Sequence, residues 1–187
     1  VPYARTSDKH AATLLGISLH LIPVTTKMFA VAGMLAPDGR CKTLDGGADG
    51  YVRGEAGGAV QIGGVSIGEG GGCSGGMGAV LRGCAVNQDG RSSALTAPNG
   101  PAQQDAIRAA MRDARVRDAS TVTGLQMHGT GTPLGDPIEV GAATAVLTSK
   151  PGGVAITLSA SKTFIGHTEP AAGIVGVMAA AATLAVP

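Results

Sequence analysis

The chain has 187 residues, 44% of them hydrophobic, enough for one sizeable domain with a buried core. Aromatics make up only 2%, so that core must be packed from Ala, Val, Ile, Leu and Met against 31 glycines. A formal net charge of +1 gives no bulk attraction for nucleic acid or an anionic membrane.

In chain order, residues 1–23 mix Arg5, Asp8, Lys9 and His10 with an apolar run at 11–22, without the basic region and cleavage pattern of a secretory leader. Residues 34–51 are rich in turn signals, and their Asp/Gly alternation does not have the spacing of an EF-hand. Cys41 lies between Arg40 and Lys42, whose charges favour a thiolate, but nothing else there makes an activating site, and it reads as an incidental loop thiol. With Cys73 and Cys84 it makes an odd set with no metal-ligand spacing, which fits a reduced, intracellular compartment. Strands are expected over 59–67 and 79–86, joined by a glycine-rich hairpin at 68–76 that lacks the Lys-Ser/Thr ending of a phosphate loop. After a polar loop, Pro101 opens a helix with Ala102, Ile107, Ala110, Met111 and Ala114 on one face. Asp105, Arg108, Arg112 and Asp113 form its solvated face.

Two similar units follow. Residues 122–127 read as a strand, His128-Gly-Thr-Gly-Thr-Pro-Leu-Gly as a loop, and Asp136 as the cap of a helix. Pro137 suits that helix's first turn and Glu139 the partner position of a capping box. Residues 154–159 then read as a strand, Lys162-Thr-Phe-Ile-Gly-His167-Thr-Glu169 as a polar turn, and Pro170 as the start of a long apolar helix. That helix, over 170–186, is too short for a membrane span and reads as buried, with Gly173 and Gly176 allowing close packing. A lone histidine at a strand end is more often structural than catalytic. Two, at equivalent edges of an α/β sheet and joined by Lys162, predict one electropositive pocket suited to a developing oxyanion.

At these residues the chain resembles a known family. HGTGTPLGDPIE and SKTFIGHTEPAAG resemble the two histidine motifs of β-ketoacyl synthases, most closely the ketosynthase domains of modular polyketide synthases. Residues 86–116 resemble the segment between the family's halves, and residues 32–60 the stretch after its nucleophile, with Leu44 where the family usually has Phe. The resemblance covers about 24–186 and implies a thiolase-like fold, part of a five-layered α-β-α-β-α arrangement. Residues 1–85 would be the remainder of the N-terminal half and 86–187 the first part of the C-terminal half, a piece incomplete at both ends. The resemblance places a helix and then a strand over the first 22 residues, the helix starting at a catalytic cysteine. No cysteine precedes Cys41, so the nucleophile is expected to be absent.

The resemblance also implies the chemistry: decarboxylative Claisen condensation of an acyl thioester with a malonyl-type unit on the phosphopantetheine of an acyl carrier protein, in polyketide or fatty-acid biosynthesis. His128 and His167 would stabilise the enolate oxygen and Lys162 the electrostatics of the site. Thr130 and Thr132 would hydrogen-bond the pantetheine arm, and Asp136 and Glu169 would support the site through polar contacts. No metal or bound cofactor is expected. The expected partners are acyl carrier protein and thioesters, within a homodimer of the complete domain, in the cytoplasm or a plastid. The alternative is a non-catalytic partner or chain-length-setting subunit, which would also lack the cysteine. A nucleotide-binding module rests on the glycines alone.

Overall fold

The computed structural model describes residues 12–63, 79–90, 97–148 and 155–185. The elements run β1 (Ala12–Ser18), α1 (Pro23–Val31), β2 (Ala56–Ile62), α2 (Gly100–Asp113), β3 (Gly124–Gln126), α3 (Gly135–Leu147), β4 (Thr157–Ser159), α4 (Lys162–Ile165) and α5 (Ala172–Ala185). Single turns of 3₁₀ helix precede β3 and α5, at Ala119–Thr121 and Glu169–Ala171.

β1 pairs antiparallel with β2, from Ala12 opposite Ile62 to Ser18 opposite Ala56. The first strand lies in the apolar run at 11–22, where a helix and then a strand were expected; residues 1–11 lie outside the described residues. The second was expected at 59–67, pairing with 79–86; residues 64–67 and the expected hairpin at 68–76 lie outside the described residues. Its partner is instead β1, and 79–86 has no regular structure. Gly57 and Gly58 of β2 stand opposite Ile17 and Gly16 of β1. α5 packs onto this glycine patch: a Cβ on Gly58 would lie 2.7 Å from Ile174 Cγ2, and one on Gly16 would lie 3.1 Å from Ala171 Cα. The strand glycines therefore admit the helix. Gly173 and Gly176, expected to do so, have no such neighbour, since a Cβ on Gly173 meets nothing within 4 Å. Nor is the helix buried all round, for Val177 and Leu184 are 54% and 78% exposed.

The second sheet is parallel and short, Gly124 opposite Thr157 and Gln126 opposite Ser159. Both strands are shorter than expected, because a parallel pair needs ladder partners on each rung and the chain turns toward the site after Met127. α2 has the expected polarity. Asn99 caps it by accepting from Ala102 N at 3.2 Å, and Ile107 and Met111 pack against Ala143, Val146 and Leu147 of α3. Ala119, Val122, Leu125 and Ile156 complete this cluster, so one core underlies α2, α3 and the root of the parallel pair. Asp113, expected on the solvated face, accepts the Cys84 N–H at 2.8 Å and ties the 79–90 segment to α2.

Candidate active site

Because β3 and β4 are parallel neighbours, the loops leaving their C-terminal ends lie side by side. Met127 N donates to Ser159 O at 2.8 Å, the last rung before the chains part. His128 follows directly, and His167 comes back to it after α4. Their ring centroids are 5.2 Å apart with planes at 85°, an edge-to-face pair. Lys162, at the start of α4 and only 5% exposed, shares with His128 a cleft of about 360 Å³ whose far wall is Ala172, Val177 and Ala180 of α5. Lys162 was expected in a polar turn; its place in a helix gives it a fixed direction.

The turn-rich segment 41–54 holds both histidine loops. Thr43 Oγ1 donates to Gly129 O at 2.7 Å, and Gly50 N donates to Gly131 O at 3.1 Å. Further along, His167 N donates to Val52 O at 2.7 Å and Gly54 N to His167 O at 2.8 Å. Both histidine loops are thus sewn to this one segment.

The acidic residues of α3 do not cap it as expected. The helix starts at Gly135 with Leu134 at the cap position and no side-chain cap bond. The Glu139 carboxylate reaches back to the loop, accepting His128 N at 2.6 Å and Gly129 N at 2.9 Å. Asp136, 4% exposed, accepts Gly131 N at 3.2 Å and Leu44 N at 2.9 Å. The loop N–H groups are donors that the fold must satisfy, and both carboxylates also sit at the positive end of the helix. A Thr132 hydroxyl fills the local role, accepting Gly135 N at 3.1 Å and standing 3.4 Å from Thr130 Oγ1. Thr130 is itself 8% exposed.

Around His167 the geometry is tighter. Glu169 has a φ of 45°, rare for a side chain with a Cβ, and its N–H donates to His167 Nδ1 at 2.9 Å. Its carboxylate takes two bonds from Arg53, Nε to Oε1 at 2.5 Å and Nη2 to Oε2 at 2.9 Å. Tyr51 packs its ring 5.1 Å from the imidazole.

Burial, reinforced by His128 and Lys162, pushes His167 down to about 4. His128 keeps some surface open to the cleft, yet the protein around its ring desolvates it, and this with Lys162 lowers it below the usual histidine range. Both rings are therefore neutral at neutral pH, and the positive charge of the pocket rests on Lys162 rather than on all three groups. Burial lowers Lys162 too, and Glu139 opposes that shift. With Nδ1 accepting, neutral His167 carries its proton on Nε2 and presents a donor.

Cys41 is 2% exposed, its sulfur accepting Val52 N at 3.3 Å. Burial raises its thiol above the usual range, so it stays protonated and serves as packing, in line with an incidental thiol. Among the described residues no cluster of His, Cys, Asp and Glu could hold a metal ion, and no helix is long and apolar enough to cross a membrane.

Arg53 and the backbone role of Glu139 escaped the sequence reading. Arg53 meets Glu169 across 116 positions, a pairing that no local pattern reveals. Glu139 was visible as an acid in a first helical turn, and only the direction of its reach was missing.

Residues 5–66 match the family described as β-ketoacyl synthase, N-terminal domain, and residues 78–186 match β-ketoacyl synthase, C-terminal domain. One component of the phenolphthiocerol/phthiocerol polyketide synthase of Mycobacterium tuberculosis is 42% identical over 178 residues, 94% of this chain and 8% of the relative. Another component of the same synthase, from the same organism, is 48% identical over 171 residues, 91% of this chain and 11% of the relative. A solved ketosynthase from module 6 of the Bacillus subtilis bacillaene synthase superposes with a TM-score of 0.82 at 34% identity, over 93% of this chain and 31% of that one. The chain thus spans about a tenth of these polyketide synthase polypeptides and about a third of a ketosynthase domain. With both histidine loops in a thiolase-like fold and both halves matched, the chain belongs to the β-ketoacyl synthase family.

Proposed function

We propose that the chain supplies the two-histidine part of a ketosynthase active site that extends acyl chains in polyketide biosynthesis. The observation that carries this reading is the edge-to-face pair of imidazoles, 5.2 Å apart, beside the buried Lys162. A malonyl-type thioester loses CO₂, and the electrons of the broken C–C bond move onto the thioester oxygen. His128 and His167 donate N–H bonds to that oxygen as its charge grows, and Lys162 adds fixed positive potential. The resulting enolate carbon attacks an acyl thioester held on a cysteine. The new C–C bond forms as the C–S bond breaks, and the thiolate takes up a proton. The β-ketoacyl product stays on the phosphopantetheine of an acyl carrier protein.

Thr130 and Thr132 stand on the loop after His128 and are assigned to the pantetheine arm. Asp136 and Glu169 hold the two histidine loops in place. The chain divides near residue 85 between the two halves of the domain, and the complete domain is a homodimer. Large apolar side chains at Leu15, Leu21 and Val31, exposed by 70%, 82% and 90%, go with further burial of this kind. The reading also carries an intracellular setting, in the cytoplasm or a plastid, and needs no cofactor bound by this chain.

A second reading, a non-catalytic partner, draws on Cys41: the thiol nearest the histidines among the described residues is buried and protonated. One experiment separates the two. A polypeptide carrying this chain is given acyl and malonyl thioesters on carrier protein, and CO₂ release and β-ketoacyl product are followed together. Both should appear, and His167→Ala should cut kcat by about 10²-fold, as loss of one oxyanion donor does. Product formation unaffected by His167→Ala would refute the proposal. CO₂ release without product would favour the partner reading.

A further inference from the structure

Arg53 lies outside the histidine motifs, yet its guanidinium is held by an ion pair, a hydroxyl and an aromatic ring. It is 7% exposed, forks onto both oxygens of Glu169, donates Nη1 to Thr26 Oγ1 at 2.6 Å, and lies 5.3 Å from the centre of the Phe29 ring. α1 thus aims the fork, and the fork aims Glu169. The main chain next to Arg53 also grips His167 from both sides, through Val52 O and Gly54 N.

With its backbone pinned, His167 keeps two freedoms: a ring flip and the choice of which nitrogen bears the proton. Both are decided by what meets Nδ1, and that group is the Glu169 N–H at 2.9 Å. The N–H stays there only while Glu169 stays in place, and the residue holds a left-handed backbone that costs about 1–3 kcal/mol and persists where neighbours enforce it. Among the described residues the Ala172 N–H holds the Glu169 carbonyl, and the two-bonded guanidinium holds its carboxylate.

We infer that Arg53 is a positioning residue for His167: clamped on Glu169, it keeps the Glu169 N–H on Nδ1 and so fixes the imidazole as the Nε2–H form that faces the substrate. Released from the clamp, Glu169 relaxes, Nδ1 loses its donor, and the two neutral forms of the ring become comparable. Part of the population then presents a bare nitrogen to an oxyanion. Lys cannot replace the arginine, because one ammonium cannot span both carboxylate oxygens in this planar geometry. The functional consequence rests on the proposed ketosynthase chemistry, while the protonation state itself is read without substrate.

The test is nitrogen-15 NMR of histidine-labelled full chain, or of a longer polypeptide that carries it, at neutral pH. Wild type should show His167 Nδ1 unprotonated and Nε2 protonated. Arg53→Met, which keeps the stem and drops the fork, should bring both nitrogens to intermediate, averaged positions while His128 is unmoved, and Arg53→Lys should not restore the wild-type pattern. Glu169→Gln serves as the second route should Arg53→Met not fold. In the condensation assay Arg53→Met should lower kcat about 10²-fold with KM little changed. A wild-type spectrum with the proton on Nδ1 overturns the inference before any variant is made, as does a folded Arg53→Met with an unchanged His167. If the spectra change as stated while no preparation, wild type included, releases CO₂ or product, the clamp stands and the ketosynthase reading falls.

Discussion

Gly54→Ala puts the grip on His167 to a direct trial. A Cβ at Gly54 would lie 2.2 Å from the Ile165 carbonyl oxygen, with Gly166 C at 3.3 Å behind it. The closest comfortable C···O approach is about 3.3 Å, so the loop before His167 has to retreat by about 1 Å. Backbone on both sides leaves no flexible side chain to yield. Overpacking of this kind costs about 1–3 kcal/mol, and for a chain of this size each kcal/mol lowers Tm by about 2–4 °C, a drop of about 2–12 °C. A shift of about 1 Å at a catalytic group also costs about 10²-fold in rate. Gly57→Ala in β2 is the control, since a Cβ there meets nothing within 4 Å. It should melt with wild type or slightly above, because Ala narrows the unfolded ensemble. Thermal unfolding by circular dichroism reads both. Should Gly54→Ala melt together with Gly57→Ala and wild type, the close approach of segment 41–54 to the His167 loop is wrong.

Asp136→Asn should cost about 2–4 kcal/mol, because Leu44 N and Gly131 N donate to different carboxylate oxygens and the amide NH₂ would face one of them, and urea unfolding measures it; a midpoint equal to wild type would count against the staple. His167, pushed down to about 4 from the usual 6.5 by burial, His128 and Lys162, makes stability fullest above pH 6.5 and lost as pH falls toward 4, since the unfolded chain takes the proton first. Allowing for solvent on the open side of the ring, the loss is about 1–2 kcal/mol, and His167→Gln should flatten that part of the curve. Glu169, held low by Arg53, adds a further loss as pH falls below the usual carboxylate range, which Arg53→Met should remove. Cys41 should resist acyl thioesters and alkylating agents in the folded chain, and a stoichiometric Cys41 adduct by mass spectrometry would refute its burial.

What was readable in the residues follows how local each signal is. The amphipathic face of α2 is a periodicity of its own residues, and Ile107 and Met111 lie where it puts them. The meeting of His128 and His167 follows from two like-ordered units and the rule that parallel strands set their exits side by side. The strands themselves were misjudged where a partner decides them: β2 runs Ala56–Ile62 with β1 opposite, and 79–86 is irregular, with no strand partner among the described residues. Charge was misjudged too, since two histidines and a lysine add up to a positive pocket only in water. Desolvation takes the protons off the rings, and no count of residues contains that.

The stitching of both histidine loops to segment 41–54 also sets when the site can exist during folding. Its bonds close spans of 86 residues from Thr43 to Gly129, 92 from Leu44 to Asp136, and 116 from Arg53 to Glu169. α2 and α3 can find each other through short loops, but these closures must draw together chain ends that are far apart, at an entropic cost met before any bond repays it. The pocket is therefore assembled late, after the core beneath it. In hydrogen exchange during refolding, the amides of Leu44, Gly50 and Gly54 should gain protection after those of α2 and α3.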